Sequence, residues 1–385
     1  MFGSARLQER RDMFLNRLLL THFKNYEFQD ITLSPGFNCF FGHNGMGKTN
    51  LLDAVYFLCM TKSHFGLPDS AIIQWESEFM RLEGNFTVQG KAEKIVAKVA
   101  PKKIKTLERQ GVPYERLSDH IGLLPIVFIA PDDTELLTEG SETRRRFMDN
   151  TLSQLNPVYL RELLLYNRLL SQRNSLLRQM AESPKKDTAL LDVYSEQLLK
   201  PGQYVFEQRM AFSAQFSEIF LHFYRIISKE AETAGIRYQS ALSDHALDWL
   251  LRQNLDKDLA LQRTSAGIHR DDLECLIEGA PVKKFASQGQ RKSYLIALKL
   301  AQYELLRTAK GVSPILLLDD LFDKLDPQRT AQLLDLLGGE SFGQIFITDT
   351  QAARVSALLP SLNKSYRLFE VKKGGIQLTA ESTSN

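Results

Sequence analysis

Three cysteines in 385 residues, Cys39, Cys59 and Cys275, are odd in number and far apart. The chain has no Cys-x-x-Cys pair and no Cys/His cluster, which argues against a zinc or disulfide framework and fits a reducing cytosol. Charge of one sign is scarce too: 48 Lys and Arg stand against 46 Asp and Glu, a formal net charge of +2. A nucleic-acid partner therefore has to be met by a local patch and not by a bulk basic surplus. No apolar run reaches the ~18 residues that a membrane span requires. The opening residues MFGSARLQERRD hold no apolar leader and no small-residue cleavage site. Internal repeats and low-complexity tracts are absent as well. What remains is 43% hydrophobic and 24% charged, an ordinary globular composition, expected in the cytoplasm and long enough for roughly two to three domains.

The run from Leu15 to Phe41 reads as strands and ends in a glycine-rich loop. The segment NLLDAVYFLCM after that loop has helical apolar spacing and no breaker. Residues from about Phe79 to Arg116 alternate in polarity between Gly, Pro and Lys turns, as a strand meander does. A buried strand is expected within Leu123–Pro131. From about Thr134 to Lys229 the period becomes helical, broken near Glu182–Lys186, as expected of an antiparallel helical arm. After Gly267 mixed α/β text returns and continues to about Leu378. The expected fold class is thus α/β, one domain with a mixed sheet interrupted by a mostly helical second lobe. Its expected parts are 13–133, the helical 134–262, and 263–378, with tails at 1–12 and 379–385.

The loop Gly42-His43-Asn44-Gly45-Met46-Gly47-Lys48-Thr49, followed by Asn50, fits G-x4-G-K-[ST] in full. Glycines let backbone N–H groups converge on phosphate oxygens, and the next helix adds its positive end. In such a loop Lys48 reaches the β/γ-phosphates and the Thr49 hydroxyl binds Mg²⁺. Pro314–Leu318 is an apolar strand that ends in Asp319 and Asp320. In a parallel sheet those carboxylates lie beside a phosphate loop, with Asp319 as a metal ligand and Asp320 as the general base for water. Strands also end in Asp at plain turns, so this pair gains weight from the loop. Ser287-Gln288-Gly289-Gln290-Arg291 opens a helix. Alone it is an N-cap; ahead of the acidic strand it has the order of an ABC signature.

The series GxNGxGKT, SQGQ-R, LLLDD and Leu325-Asp326-Pro327 resembles the ABC ATPases of the SMC group. FKNY, GKTNLLDAVYFL, APDD with ETRRRFMD, LLSQRNSLL, GIHRDDL, ASQGQRKS and IFITDT are similar to the RecF family in particular, across about Phe14–Lys372. The resemblance implies an ABC-type head that dimerises around two ATP molecules. Lys48 and Thr49 of one protomer would then face Ser287, Gly289 and Gln290 of the other, with Asp326 at the protomer interface and Lys24 and Asn25 approaching the nucleotide. It also implies a slow ATPase of recombinational repair, whose ATP-closed dimer binds double-stranded DNA near single-strand gaps. Recombinase would be loaded with RecR- and RecO-type mediators. Three positions depart from the ABC pattern. Asp320 replaces the usual Glu, Thr348 and Asp349 stand where a histidine is expected, and no glutamine lies near Ala130–Asp133, leaving Asp132 or Asp133 as substitutes.

Candidate DNA contacts are Lys102, Lys103, Lys105, Arg144, Arg145 and Arg146, then Arg161, Arg168, Arg173 and Arg178 along the arm. For each residue a solvated charged face is the commoner reading, and at least one of Arg144–Arg146 is expected to pair internally; Arg161, Arg168 and Arg178 fall roughly on one side of a helix. His269-Arg270-Asp271-Asp272 reads as a structural turn and not as a catalytic pair. Two other readings stand beside the main one. One is a short-armed SMC-like scaffold or defence protein that barely hydrolyses ATP. The other is a transporter ATPase subunit, against which the helical arm and the FKNY start both argue.

Overall fold

The computed structural model describes residues 13–382, apart from 102, 183–187, 229–231, 323–326, 352–356, 358 and 362–363, and gives only the backbone for 327–329. The chain divides into two compact units, 1–132 with 303–385, and 133–302.

The first unit holds two six-stranded sheets. One is the antiparallel meander. Its strands are β1 (Met13–Phe23), β2 (Tyr26–Thr32), β4 (Met80–Val88), β5 (Lys91–Val99), β6 (Thr106–Arg109) and β7 (Val112–Pro113), in the order β2-β1-β4-β5-β6-β7. Polarity alternates along β1, with Leu18 and Leu20 buried and Arg17 exposed, so one face meets the core and one meets water. The other sheet joins β3 (Phe37–Phe41), β8 (Ile126–Ile129), β12 (Ile315–Leu318), β13 (Ile345–Asp349), β14 (Tyr366–Lys372) and β15 (Gly375–Ser382), in the order β15-β14-β3-β13-β12-β8. Every pairing from β14 to β8 is parallel. ILLL is a continuous apolar run and FNCFF is buried at four of its five positions, its one polar residue Asn38 hydrogen-bonded to the Ser34 backbone, as in strands covered on both faces. The helix α1 (Lys48–Met60) is buried at every position from Leu51 to Met60 and joins residues of both sheets in one core.

Strand order brings the two nucleotide motifs together. β3 delivers the phosphate loop and β12 delivers the acid pair, while β13 runs between them in register, with Thr348 opposite Phe40 and Ile347 opposite Leu318. All three release their C-terminal ends at one edge of the sheet.

The second unit is built on α2 (Ser141–Leu155), α3 (Pro157–Glu182) and α4 (Thr188–Ser228). α4 runs through Pro201 and Gly202 without ending. Packing explains the glycine, since a Cβ there would lie 2.5 Å from Leu247 Cδ2. The sequence places a boundary at 262, yet this unit extends to Gln302. The reason is a small antiparallel sheet in which β10 (Asp272–Ile277) pairs with β9 (Ala234–Gln239) on one side and β11 (Ala280–Pro281) on the other. The short strand β9 lies inside a stretch read as helical.

Two buried histidines make the fold acid-sensitive. His120 Nε2–H donates to Leu58 O at 2.7 Å and Nδ1 accepts from Tyr114. His269 Nε2–H donates to Thr264 O at 3.0 Å and Nδ1 accepts from Tyr166, so it is the structural group that its sequence context suggests. Burial pushes each imidazole down to about 4. In the unfolded chain both take up protons near pH 6.5, so stability is full above that pH and falls until about pH 4. Each group contributes about 3 kcal/mol to that loss. Urea titrations at pH 7.5 and 5 should show the drop, and His120→Gln with His269→Gln should flatten it.

Candidate nucleotide site

Gly42 and Gly47 both have positive φ, 154° and 113°. A Cβ on Gly42 would lie 2.4 Å from Val371 O, and one on Gly47 would lie 2.3 Å from Asn25 Nδ2. These two glycines are therefore required by both conformation and space. The loop is clamped from outside. Asn25 Nδ2 donates to Met46 O at 3.1 Å, Asn50 Nδ2 donates to Asn25 at 2.7 Å, and Tyr26 OH donates to Gly47 O at 2.9 Å. Lys48 Nζ arches back over the loop to Gly42 O at 2.8 Å and His43 O at 3.2 Å. The start of α1 has no side-chain cap and no acid in its first turn. Its free N–H groups and the helix dipole suit a phosphate, and the cradle fits one.

Asn25 thus meets the loop as expected, but Lys24 is tied elsewhere. Its ammonium donates to Asp53 on α1 at 2.7 Å and lies over the Phe23 and Phe65 rings. Asp53 is fully buried and also accepts from the Ser63 hydroxyl and the His64 N–H, each at 2.7 Å. Tyr26 and Asp53 lie inside the FKNY and GKTNLLDAVYFL stretches, but neither carries a role of its own in the sequence reading.

Across the loop, Thr49 Oγ1 donates to Asp319 at 3.0 and 2.9 Å. Magnesium holds its oxygens at 2.0–2.1 Å in an octahedron, whose edge is then about 3 Å. The Thr49–Asp319 pair, hard oxygens at that separation, fits such an ion. Asp319 is buried, and burial pushes its carboxyl above the usual range, opposed by the hydrogen bonds from Thr348 and Thr49. Its neighbour Asp320 sits in the left-handed region with φ 43°, which costs a non-glycine residue about 1–2 kcal/mol. Its N–H donates to Thr348 Oγ1 at 2.9 Å, and its buried Oδ1 has no hydrogen-bond partner among the described residues.

The Ser287 segment belongs to the second unit. Ser287 N–H donates to Gln290 Oε1 at 2.6 Å and Gln290 N–H donates to Ser287 Oγ at 3.2 Å. This reciprocal box opens the helix Gln288–Lys310, and Gln290 reaches Glu232 as well. Ser287 is exposed and Gly289 half-buried on the first turn, beside Phe285, which is 71% exposed. Asp326 lies outside the described residues. Of the proposed glutamine substitutes, Asp132 is exposed, whereas Asp133 pairs with Lys299 at 2.9 Å.

The basic candidates separate by what holds them. Arg144 makes a bidentate pair with Asp272, at 2.7 and 3.0 Å, and donates to Leu136 O and Glu139 O. Arg145 donates to Ser141 Oγ and Asp271 O. Arg173 is buried on Asp258, Thr264 and Ser195, and Lys105 is held by Thr61 O and Asp69. These four are structural, a correction to their reading as phosphate contacts. Lys102 lies outside the described residues. Lys103, Arg146, Arg161, Arg168 and Arg178 are exposed; Arg161 lies 3.3 Å from Glu162, and Arg146 pairs with Glu142.

The sequence matches the RecF/RecN/SMC N terminal domain family over residues 14–377. It is 43% identical to the DNA replication and repair protein RecF of Flavobacterium johnsoniae, over 93% of this chain and all of that one. The RecF of Parabacteroides distasonis is 42% identical, over 95% and 99% of the two chains. Among solved structures, the recombination mediator RecF with ATP, described as part of the RecFOR pathway, superposes with a TM-score of 0.88. That match has 28% identity and covers 96% of this chain and 99% of that one. An Smc head from Pyrococcus furiosus, at 14% identity and a TM-score of 0.55 over 96% of each chain, shares the fold. No helix among the described residues is long and apolar enough to cross a membrane. Matched over more than nine-tenths of its length by these relatives, the chain belongs to the RecF family of DNA replication and repair proteins, ABC-type ATPases with an SMC-type head.

Proposed function

We propose that the chain is a slow, switch-like ATPase whose ATP-bound dimer holds double-stranded DNA near single-strand gaps and helps load recombinase. The observation that carries this reading is the Thr49–Asp319 contact at 2.9 Å, which joins the phosphate loop to the acidic strand. Lys48 would leave the Gly42 and His43 carbonyls for the β/γ-phosphates, and the glycine loop would bind phosphate through backbone N–H groups. Thr49 and Asp319 would hold Mg²⁺, which neutralises phosphate charge when bound. Asp320 would take the proton of the attacking water. Ser287, Gly289 and Gln290, exposed or half-exposed at a helix start, would serve the partner protomer's γ-phosphate, with Asp326 at the protomer interface.

The candidate DNA contacts in this reading are the exposed Lys103 in the first unit and, separately, the exposed Arg161, Arg168 and Arg178 on α3 in the second. The partners are duplex DNA, single-strand/double-strand junctions, a second copy of the chain, and mediators of the RecR and RecO type. The test is fluorescence anisotropy on duplex, single-stranded and gapped oligonucleotides with ATP, ADP or no nucleotide, at two salt concentrations. ATP alone should support tight, salt-sensitive duplex binding, because phosphate contacts release counterions. Ser287→Arg should keep ATP binding yet lose both the dimer, read by sedimentation, and the ATP-dependent affinity. DNA binding that ignores the nucleotide, or a Ser287→Arg dimer formed with ATP, would remove the sandwich.

A further inference from the structure

A single hydroxyl links the two acids at the end of β12. Thr348, fully buried on the neighbouring strand β13, donates through Oγ1 to Asp319 Oδ1 at 2.7 Å and accepts the Asp320 N–H at 2.9 Å. A threonine hydroxyl has one proton, so the donation to Asp319 leaves the lone pairs for Asp320 and fixes the direction of both bonds. The strand order produces this bridge, because β13 lies between the strand of the phosphate loop and that of the acids. Asp319 N–H is held from the other side by Ile129 O at 2.9 Å. Among the described residues the Asp320 N–H has Thr348 Oγ1 as its partner, and Asp320 adopts φ 43°. The hydroxyl is therefore a latch on a residue of the site in an unfavourable conformation.

We infer that Thr348 is a positioning residue for hydrolysis, which holds Asp320 in its left-handed conformation and thereby aims its carboxylate. This rests on the reading of Asp320 as the base for the attacking water. Thr348 touches neither nucleotide nor water in this scheme; it acts through the two acids. A threonine, unlike a longer side chain, is short enough to reach both partners from the adjacent strand.

Valine keeps the branched shape and the strand preference and removes only the hydroxyl. Thr348→Val should lower the rate of phosphate release ~10- to 100-fold, the scale of a small misplacement of a catalytic group. The affinity for a fluorescent ATP analogue with Mg²⁺ should stay within about threefold, since uniform binding is untouched. Thr348→Ser, which restores the hydroxyl, should recover most of the rate, and Thr348→Ala serves if valine is not accommodated. In an Asp320→Asn background the Thr348→Val change should add less than about twofold, because groups acting as a unit are not additive. Wild-type turnover by Thr348→Val overturns the inference, as do equal losses in the Val and Ser variants or a full extra loss on Asp320→Asn. If Asp320→Asn itself turns over normally, the base reading falls and takes this route with it. If Asp320→Asn is slow and Thr348→Val is not, only the present inference falls.

Discussion

Asp320→Asn is expected to reduce ATP turnover at least ~100-fold, the low end of what general-base catalysis supplies, while ATP still binds. Asparagine is the informative replacement. It matches aspartate in size and tolerates the left-handed region better than most residues, so the φ 43° backbone is retained. The N–H to Thr348 is also retained, and only the basic oxygen is lost. Asp320→Ala would confuse chemistry with conformation, since alanine resists that backbone. The phosphate loop, Lys48 and the Thr49–Asp319 pair are untouched, so the dissociation constant of an ATP analogue should hold. ATP without hydrolysis should then prolong the dimer and its DNA complex. Single-turnover phosphate release with wild-type speed in the Asn variant would show that another group, or water alone, carries the proton.

The legible part of the site was whatever is local in sequence. The glycine loop, Ser287 with Gln290 three residues on, and the apolar strand ending in two acids each announce themselves within about eight residues. The strands of the first unit were legible too, but their division into two sheets, where one mixed sheet was expected, was not. Long-range pairing was hidden. Thr348 marks no more than the neighbourhood of a missing histidine until β13 is placed between β3 and β12. Internal pairing was expected for at least one of Arg144–Arg146, but the partners Asp272 of Arg144, the Asp271 carbonyl of Arg145 and Asp258 of Arg173 come from the fold. The same blindness applied to Lys24, whose partner Asp53 sits inside an apolar helix. Cations held by acids inside a unit are less free to meet phosphates, so the proposed DNA contacts narrow to the exposed candidates, Lys103 in the first unit and, separately, those on α3 in the second.

Arg209→Ala should be among the most destabilising single changes in the second unit. The guanidinium is 2% exposed and its donors are directed at protein acceptors. They go to Asp149 Oδ1 at 2.9 Å, Asp271 Oδ2 at 2.8 Å, Ile268 O at 2.7 Å and the Tyr159 hydroxyl at 3.1 Å. These partners tie α2, α3, α4 and the turn before β10 together. Asp271 also accepts from Tyr238 at 2.6 Å, and burial still pushes its carboxyl above the usual range. Removing the arginine leaves two carboxylates facing a cavity without the guanidinium that hydrogen-bonds both. Breaking a buried pair in this way costs about 3–5 kcal/mol. By contrast, Arg161→Ala, at an exposed pair, should change stability by less than about 1 kcal/mol. The pH dependence supplies a second check with a definite sign. Without Arg209 the carboxyl of Asp271 is raised further, so the folded variant binds protons more readily than the unfolded chain. Its deficit against wild type should therefore be largest at neutral pH and narrow as the pH falls toward 5. Urea midpoints at pH 7.5 and 5 measure both, and a deficit that stays constant with pH would mean lost packing and not lost charge compensation.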